Sequence, residues 1–174
     1  MEQRNVDEEL AEELIAKLSE CNYTITTAES CTGGLLAAAL IHVAGASKVY
    51  CSGQITYSNE AKRKFLGVKK KTLQEHGAVS KQTVKQMAKG AAKLNHANVA
   101  ISVSGIAGPD GGTAEKPVGL VYIGCCVNGK VKTKKCQFFG NRLEIRKQAV
   151  TEALQLAKDC LGQLPLKEEK KNFQ

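Results

Sequence analysis

Tyr23-Thr24-Ile25-Thr26-Thr27-Ala28-Glu29-Ser30-Cys31-Thr32-Gly33-Gly34 is the stretch whose reading decides the fold. Tyr23 to Ala28, rich in Thr and Ile, has the composition of a short strand. Glu29 to Gly34 continues as a hydroxyl-rich turn that closes on a glycine pair. Leu35 to Val43, apolar and built of small residues, then suits a buried helix. A strand that passes through a tight turn into a helix calls for a sheet with helices packed on it.

The flanking sequence extends this reading in both directions. Val6, Leu10, Leu14 and Leu18 recur at helical spacing behind a capping-box pattern, Asn5-Val6-Asp7-Glu8, so residues 6 to 20 form an amphipathic helix. Residues 47 to 57 read as extended, Ser58 to Leu66 as helical, and 69 to 77 as a loop or short helix. Ser80 caps a helix whose inner stripe is Val84, Met87, Ala88, Ala91 and Leu94. Asn98 to Ser104 is a central strand, and 105 to 117 a glycine-rich loop. Val118 to Val127 and Lys130 to Phe138 form a hairpin about Asn128-Gly129, a pair that accepts positive φ. Asn141 and Glu144 make another capping box, and Leu143, Val150, Leu154, Ala157 and Leu161 mark a final long helix. The order predicts an α/β fold: a three-layer α/β/α sandwich with a mixed central sheet. Residues 1–164 read as a single domain, and 165–174 as a polar, disordered tail.

Composition sets the function classes. With 174 residues, 43% hydrophobic and 24% charged, the chain is an ordinary globular domain rather than a disordered one. The formal net charge of +8 admits anionic small molecules or nucleic acid as partners. The basic runs Lys69-Lys70-Lys71, Lys130 to Lys135 and Lys167 to Lys171 read as solvated faces, and no aromatic residues interleave with them. Nucleic acid is therefore not the expected partner. Seven Cys, no CxxC pair and no secretory leader point to free, mostly buried thiols in a reducing, cytoplasmic setting. Adjacent Cys125 and Cys126 should face opposite sides of a strand. The apolar runs are too short to cross a bilayer, so no membrane is expected.

Three segments carry candidate chemistry. In the first, Ser30 sits where a nucleophile would, at a strand end, and free N–H groups at the following helix start favour an anion or a developing oxyanion. The turn could equally be structural, with Ser30 as a cap. In the second, Gly105, Gly108, Gly111 and Gly112 lie in a loop after a buried strand, a usual ligand wall in α/β folds, where dense glycine implies close backbone approach to a ligand. In the third, Tyr57 ends a strand and Lys62 lies one turn into the next helix. His42, His76 and His96 all read as structural or surface residues, which leaves Lys62 as the better base for Ser30 if burial lowers its pKa. No His, Cys, Asp and Glu set has metal-ligand spacing, so no metal is expected.

Taken together, five stretches resemble the C-terminal domain of the competence- and damage-inducible protein CinA, the nicotinamide-nucleotide amidohydrolase family. They are Thr27 to Gly34, Gly53 to Lys62, His76 to Ser80, Ser104 to Thr113 with Lys116 to Gly119, and Phe139 to Arg146, in order over nearly the whole chain. The resemblance implies hydrolysis of nicotinamide mononucleotide to nicotinic acid mononucleotide and ammonia, without a cofactor, feeding pyridine nucleotide salvage. It implies Ser30 as nucleophile, Lys62 as base with Tyr57 nearby, and Arg142 meeting the mononucleotide. Gln54 stands where many relatives carry an apolar residue, a change beside the site that bears on substrate fit.

The expected mechanism has Lys62, neutral, take the Ser30 proton, with Tyr57 able to relay through it. Backbone N–H groups near Cys31, Thr32, Gly33 and Gly34 would hold the oxyanion. Arg142 and the loop containing Ser104, Gly105, Gly108, Gly111 and Gly112 would hold the substrate phosphate. A homo-oligomer is the default assembly for a small enzyme. Two readings of other classes stand beside this one: a nucleotide-binding regulatory module with little activity, and a DNA-associated competence accessory protein.

Overall fold

β1, Ile25–Glu29, is buried along its whole length although Thr26, Thr27 and Glu29 are polar, as a strand covered on both faces must be. It lies inside a five-stranded sheet of order β2-β1-β3-β4-β5 in the computed structural model, which describes residues 6–163. The other strands are β2 (Tyr50–Ile55), β3 (Val99–Gly105), β4 (Leu120–Val127) and β5 (Lys130–Gln137). β1 pairs parallel with both β2 and β3, whereas β4 and β5 run antiparallel, so the sheet is mixed as expected. Helices α1 (Val6–Cys21), α2 (Leu35–Ile41) and α6 (Arg142–Gly162) cover one face. On the other, α5 (Lys81–Leu94) packs on the sheet, with α3 (Asn59–Leu66) and α4 (Lys70–His76) against it. The fold is the three-layer α/β/α sandwich that the element order predicts.

Two apolar cores fill the gaps between layers. One joins Leu10, Leu14 and Leu18 of α1 to Leu36 and Leu40 of α2, Leu154 and Leu161 of α6, and Ile101 and Ile123 of the sheet. The other gathers Val84, Met87, Ala88 and Ala91 of α5 with Leu66, Val68, Ala28 and Ala100. Cys125 lies in the first core and Cys126 in the second, as adjacent strand residues must. No disulfide joins any of the seven cysteines, all of them among the described residues; Cys51 is exposed and Cys21 partly so.

The periodicity overreaches at helix ends. Val6, Leu94 and Leu143, at or beside a helix end, are exposed. α2 is not a buried helix: only Leu36 and Leu40 are buried, and Ile41 faces solvent. Ala46–Lys48 is a 3-10 turn rather than extended chain. The hairpin turn holds Asn128 at φ 47 and Gly129 at φ 82, the positive values that pair accepts. Asn5 of the first capping box, and the tail 165–174, lie outside the described residues.

The far end of the sheet is knit by amide side chains. Asn98 Oδ1 accepts from Thr24 N at 3.0 Å, Asn128 N donates to Asn98 O at 2.8 Å, and Asn128 Nδ2 donates to the Tyr23 hydroxyl at 2.8 Å. The carboxyl ends of β1, β2 and β3 are at the opposite edge, with the loops that follow them.

Two glycines let α5 sit close on both sides. A Cβ at Gly124 would come within 2.6 Å of Ser102 Oγ and 2.9 Å of Val84 O, so bare backbone at β4 admits α5 to the sheet. A Cβ at Gly90 would fall 1.9 Å from Leu66 O, so α3 rests its last turn on bare helix. α3 therefore holds its position through α5. Ala is better than Gly in a helix interior by roughly 1 kcal/mol, yet Gly90→Ala is expected to lower stability by about 1–3 kcal/mol through overpacking. A chemical denaturation midpoint at or above wild type would contradict this.

Candidate functional site

Three strand ends converge on one small volume. Ser30 N donates to Val103 O at 3.0 Å, extending the β1–β3 ladder by one residue, and Thr56 N donates to Glu29 O at 2.8 Å on the other side. Ser30 is thus fixed at the carboxyl end of β1 between its two parallel neighbours, where open α/β sheets bind ligands. A cavity of about 180 Å³ opens there, lined by residues that include Ser30, Cys31, Lys62, Ser104, Gly105 and Arg142.

Lys62 is delivered to it by α3. Ser58 caps that helix, its hydroxyl accepting from Ala61 N at 3.0 Å, and one turn later the Lys62 side chain turns inward to 1% exposure. Its Nζ donates to Thr56 O at 2.8 Å, Tyr57 O at 3.3 Å and Ser30 Oγ at 3.0 Å. No carboxylate shares the contact. Burial pushes the Lys62 pKa down to about 8, against a small opposing pull from Cys31. The free-base fraction at pH 7 is then about a tenth, against well under a thousandth for an ordinary lysine. A neutral amine has two N–H bonds and one lone pair. With the N–H bonds on the two carbonyls, the lone pair is left for the Ser30 hydroxyl proton. Burial also pushes the Cys31 thiol up to about 11, so it stays protonated beside Ser30.

The walls are tied by polar contacts to backbone. Ser104 Oγ donates to Ala78 O at 2.9 Å, and Lys116 Nζ reaches His76 O at 2.6 Å and Val79 O at 2.9 Å. Arg142 bridges the mouth, with Nη1 on Gly108 O at 2.8 Å and Nη2 on the Tyr57 hydroxyl at 3.2 Å.

The sequence profile of the CinA C-terminal domain matches residues 7–161. The chain belongs to the CinA C-terminal domain family. It is 53% identical over 162 residues to the CinA-like protein of Kosmotoga olearia, covering 92% of this chain and 39% of that protein. The curated relatives it matches are much longer, and the chain spans 35% to 39% of the length of those in Clostridium novyi and Kosmotoga olearia. Solved structures match it end to end. The competence/damage inducible protein CihA from Agrobacterium tumefaciens is 46% identical with a TM-score of 0.89, over 94% of this chain and 100% of that one. The competence damage-inducible protein A from Klebsiella pneumoniae is 40% identical, also at 0.89, over 92% and 100%.

Within this CinA domain, Ser30, Tyr57, Lys62, Ser104, Gly105, Cys31 and Arg142 come together, while Thr32, Gly33, Gly34, Gly108, Gly111 and Gly112 do not line the cavity. The glycine pair has another partner. Glu29, 1% exposed, turns its carboxylate onto the start of α2, accepting from Gly34 N at 2.9 Å, Leu36 N at 3.1 Å and Ala37 N at 2.8 Å. The helix start is occupied by the chain's own anion and offers nothing to a ligand. The dense glycines of the β3–β4 loop also answer to the chain itself. A Cβ at Gly105 would come within 2.5 Å of Val121 Cγ2, at Gly108 within 2.5 Å of Val118 Cγ1, and at Gly112 within 2.8 Å of Val118 N. The loop folds back on its own returning limb.

Two further expectations change. Tyr57 is 64% exposed and meets Lys62 through its carbonyl, not its phenol, so the phenol does not relay protons. Gln54 turns away from the cavity: its Nε2 donates to Ser52 Oγ at 2.9 Å and its Oε1 accepts from Asn95 Nδ2 at 3.0 Å, tying β2 to the end of α5. Glu29 and Arg146 were not singled out by the sequence reading. For Glu29 the available signal was a carboxylate a few residues ahead of a helix start that has no side-chain cap. Among the described residues no three His, Cys, Asp or Glu side chains gather as a metal site, and no helix is long and apolar enough to cross a membrane.

Glu29→Gln sets an amide NH₂ against at least one of the three N–H donors. It is expected to cost about 2–3 kcal/mol of stability, read as a lowered denaturation midpoint. An unchanged midpoint would mean that the cap contributes nothing.

Proposed function

We propose that the domain hydrolyses a carboxamide through Ser30, with Lys62 as the base. The observation that carries this is the 3.0 Å contact between Ser30 Oγ and a lysine amine that burial brings to a pKa of about 8. The family resemblance supplies the substrate, nicotinamide mononucleotide. Lys62 accepts the Ser30 proton as Oγ bonds to the carboxamide carbon. The tetrahedral intermediate collapses, the C–N bond breaks, and the proton held by Lys62 leaves with ammonia. Water, deprotonated in turn by Lys62, displaces Ser30 and yields the carboxylate. The cavity takes the amide-bearing ring, and Arg142 at its mouth, with donors still free after Gly108 and Tyr57, meets the phosphate.

Ammonia release from nicotinamide mononucleotide, with Ser30→Ala beside wild type, tests this directly. Wild-type turnover and a fall of at least about 10³-fold in the variant are expected. Nucleotide binding without release from a folded wild type would move the weight to the regulatory-module reading.

The pH dependence is a second test. Because the lowered Lys62 pKa must be exceeded for the amine to accept a proton, kcat/KM should rise with pH and level off above about 8. The same shift favours the unprotonated native state, so Lys62 makes stability rise with pH between about 8 and its ordinary value of 10.5. A rate limb near pH 10 would dissociate Lys62 from the chemistry.

One observation favours the nucleic-acid reading. Lys81, Lys85, Lys89 and Lys93 form an exposed ridge along α5 at four-residue spacing, none with a carboxylate partner among the described residues. The related structures are those of proteins described as competence- or damage-inducible. Oligonucleotide affinity should then fall steeply with salt, and replacing all four lysines by Gln should remove that slope while ammonia release persists. Absence of binding at low salt removes this reading.

A further inference from the structure

Resting on the reading of Ser30 as nucleophile, we propose that Arg146 is a positioning residue that aims the Thr32 N–H, on the peptide that leaves the cavity wall at Cys31, toward the oxyanion. The argument begins as an accounting of backbone donors. From Ser30 to Ala37, the N–H of Ser30 goes to Val103 O, Gly33 to Ser30 O, Leu35 to Thr32 O, and Gly34, Leu36 and Ala37 to the Glu29 carboxylate. Among the described residues, Cys31 and Thr32 alone in this run have an N–H with no oxygen acceptor, the Cys31 N–H meeting only its own thiol. They immediately follow the nucleophile, where acyl-transfer enzymes place such donors.

What aims them is the other end of each peptide. In a trans peptide the N–H and C=O point in opposite directions, and no cis bond occurs in this segment. The Cys31 N–H shares its peptide with the Ser30 carbonyl, which Gly33 N holds at 3.1 Å. The Thr32 N–H shares its peptide with the Cys31 carbonyl, which Arg146 Nε holds at 2.9 Å. Arg146 Nη2 takes the next carbonyl, Thr32 O, also at 2.9 Å. One planar guanidinium therefore spans two consecutive carbonyls of the turn and fixes the plane of the peptide between Cys31 and Thr32. A cation on a peptide oxygen also draws electron density through the amide and makes its N–H a stronger donor.

Arg146 reaches this position from the second turn of α6, four residues beyond Arg142. The two arginines diverge: Arg142 goes to the mouth of the cavity, Arg146 to the back of the turn. Gly33, at φ +57, completes the fit, since a Cβ there would come within 3.2 Å of Arg146 Nη2. A lysine at 146 has one compact donor group and cannot reproduce the fork.

Arg146→Lys and Arg146→Gln, compared with wild type, test the assignment by two assays. In the first, kcat for ammonia release from nicotinamide mononucleotide should fall about 10²-fold with KM within a few-fold, the size of losing one oxyanion donor. The limb near pH 8 should stay in place because Lys62 is not disturbed, and added methylguanidine should restore part of the rate to Arg146→Ala. In the second, covalent labelling of Ser30 by a fluorophosphonate should slow in parallel, since that reaction uses the same donors without the nucleotide. A higher KM at unchanged kcat would make Arg146 a substrate contact and overturn the proposal, as would wild-type rates in Arg146→Lys. If wild type labels at Ser30 but releases no ammonia, only the assumed substrate fails, and the labelling rates still decide Arg146. If wild type does not label, the Ser30 reading fails and the proposal with it. Should Arg146→Gln not fold, Arg146→Lys and rescue of Arg146→Ala carry the test.

Discussion

A carboxylate sealed from water at the end of β1 sets the terms for the rest of the molecule. Glu29 is covered by the sheet and by α2, and a bare charge there would be untenable. The start of α2 supplies three N–H groups, and the strand-to-helix turn is drawn tight as a result. Residues 30 to 33 have little conformational choice once both ends of the turn are held. Gly33 and Gly34, both at positive φ, are the residues that let the chain make that connection. Ser30 is then aimed by backbone alone, through its N–H on β3, before Lys62 is brought to it.

The partner arrives by a separate route that meets the same constraint from the opposite face. Lys62 enters from α3, and α3 is located by α5, which is itself located by the sheet through Gly124. The lysine finds carbonyls and a hydroxyl but no anion, because the nearby carboxylate is already committed to α2. Had Glu29 faced Lys62, an ion pair would have kept the amine charged. Directing that carboxylate elsewhere is what leaves desolvation as the main influence on Lys62. The capping of α2 and the lowered pKa of the buried Lys62 amine thus both follow from one side chain's orientation.

Much of this could be read from the sequence where local chemistry and position coincide. Ser58, Ser80 and Asn141 announce helix starts because their oxygens have backbone donors within reach, and Asn128-Gly129 announces a turn because few other pairs accept its φ values. Ser30 and Lys62 stood out because a strand end and the first turn of a helix limit where a side chain can go. The glycine-rich loop was legible only in part: Gly105 lines the cavity, but bare backbone is needed equally for a ligand and for a neighbouring chain segment, and only coordinates reveal Val118 and Val121 as neighbours. Tyr57 was misread because its backbone and its ring serve different partners. Arg146 left no local signal: its carbonyl partners are more than a hundred residues away in sequence.

The knot of amides at the far edge of the sheet has a practical consequence. Asn98, Thr24, Asn128 and Tyr23 hold the amino ends of β1 and β3 and the β4–β5 tip together, separated from the cavity by the length of β3, roughly 20 Å for seven residues. Lys130, exposed at that tip beside a Gly129 with open space around it, is a natural anchor for a surface tether or a dye. An immobilised molecule held there would present its cavity-bearing edge outward, toward solution.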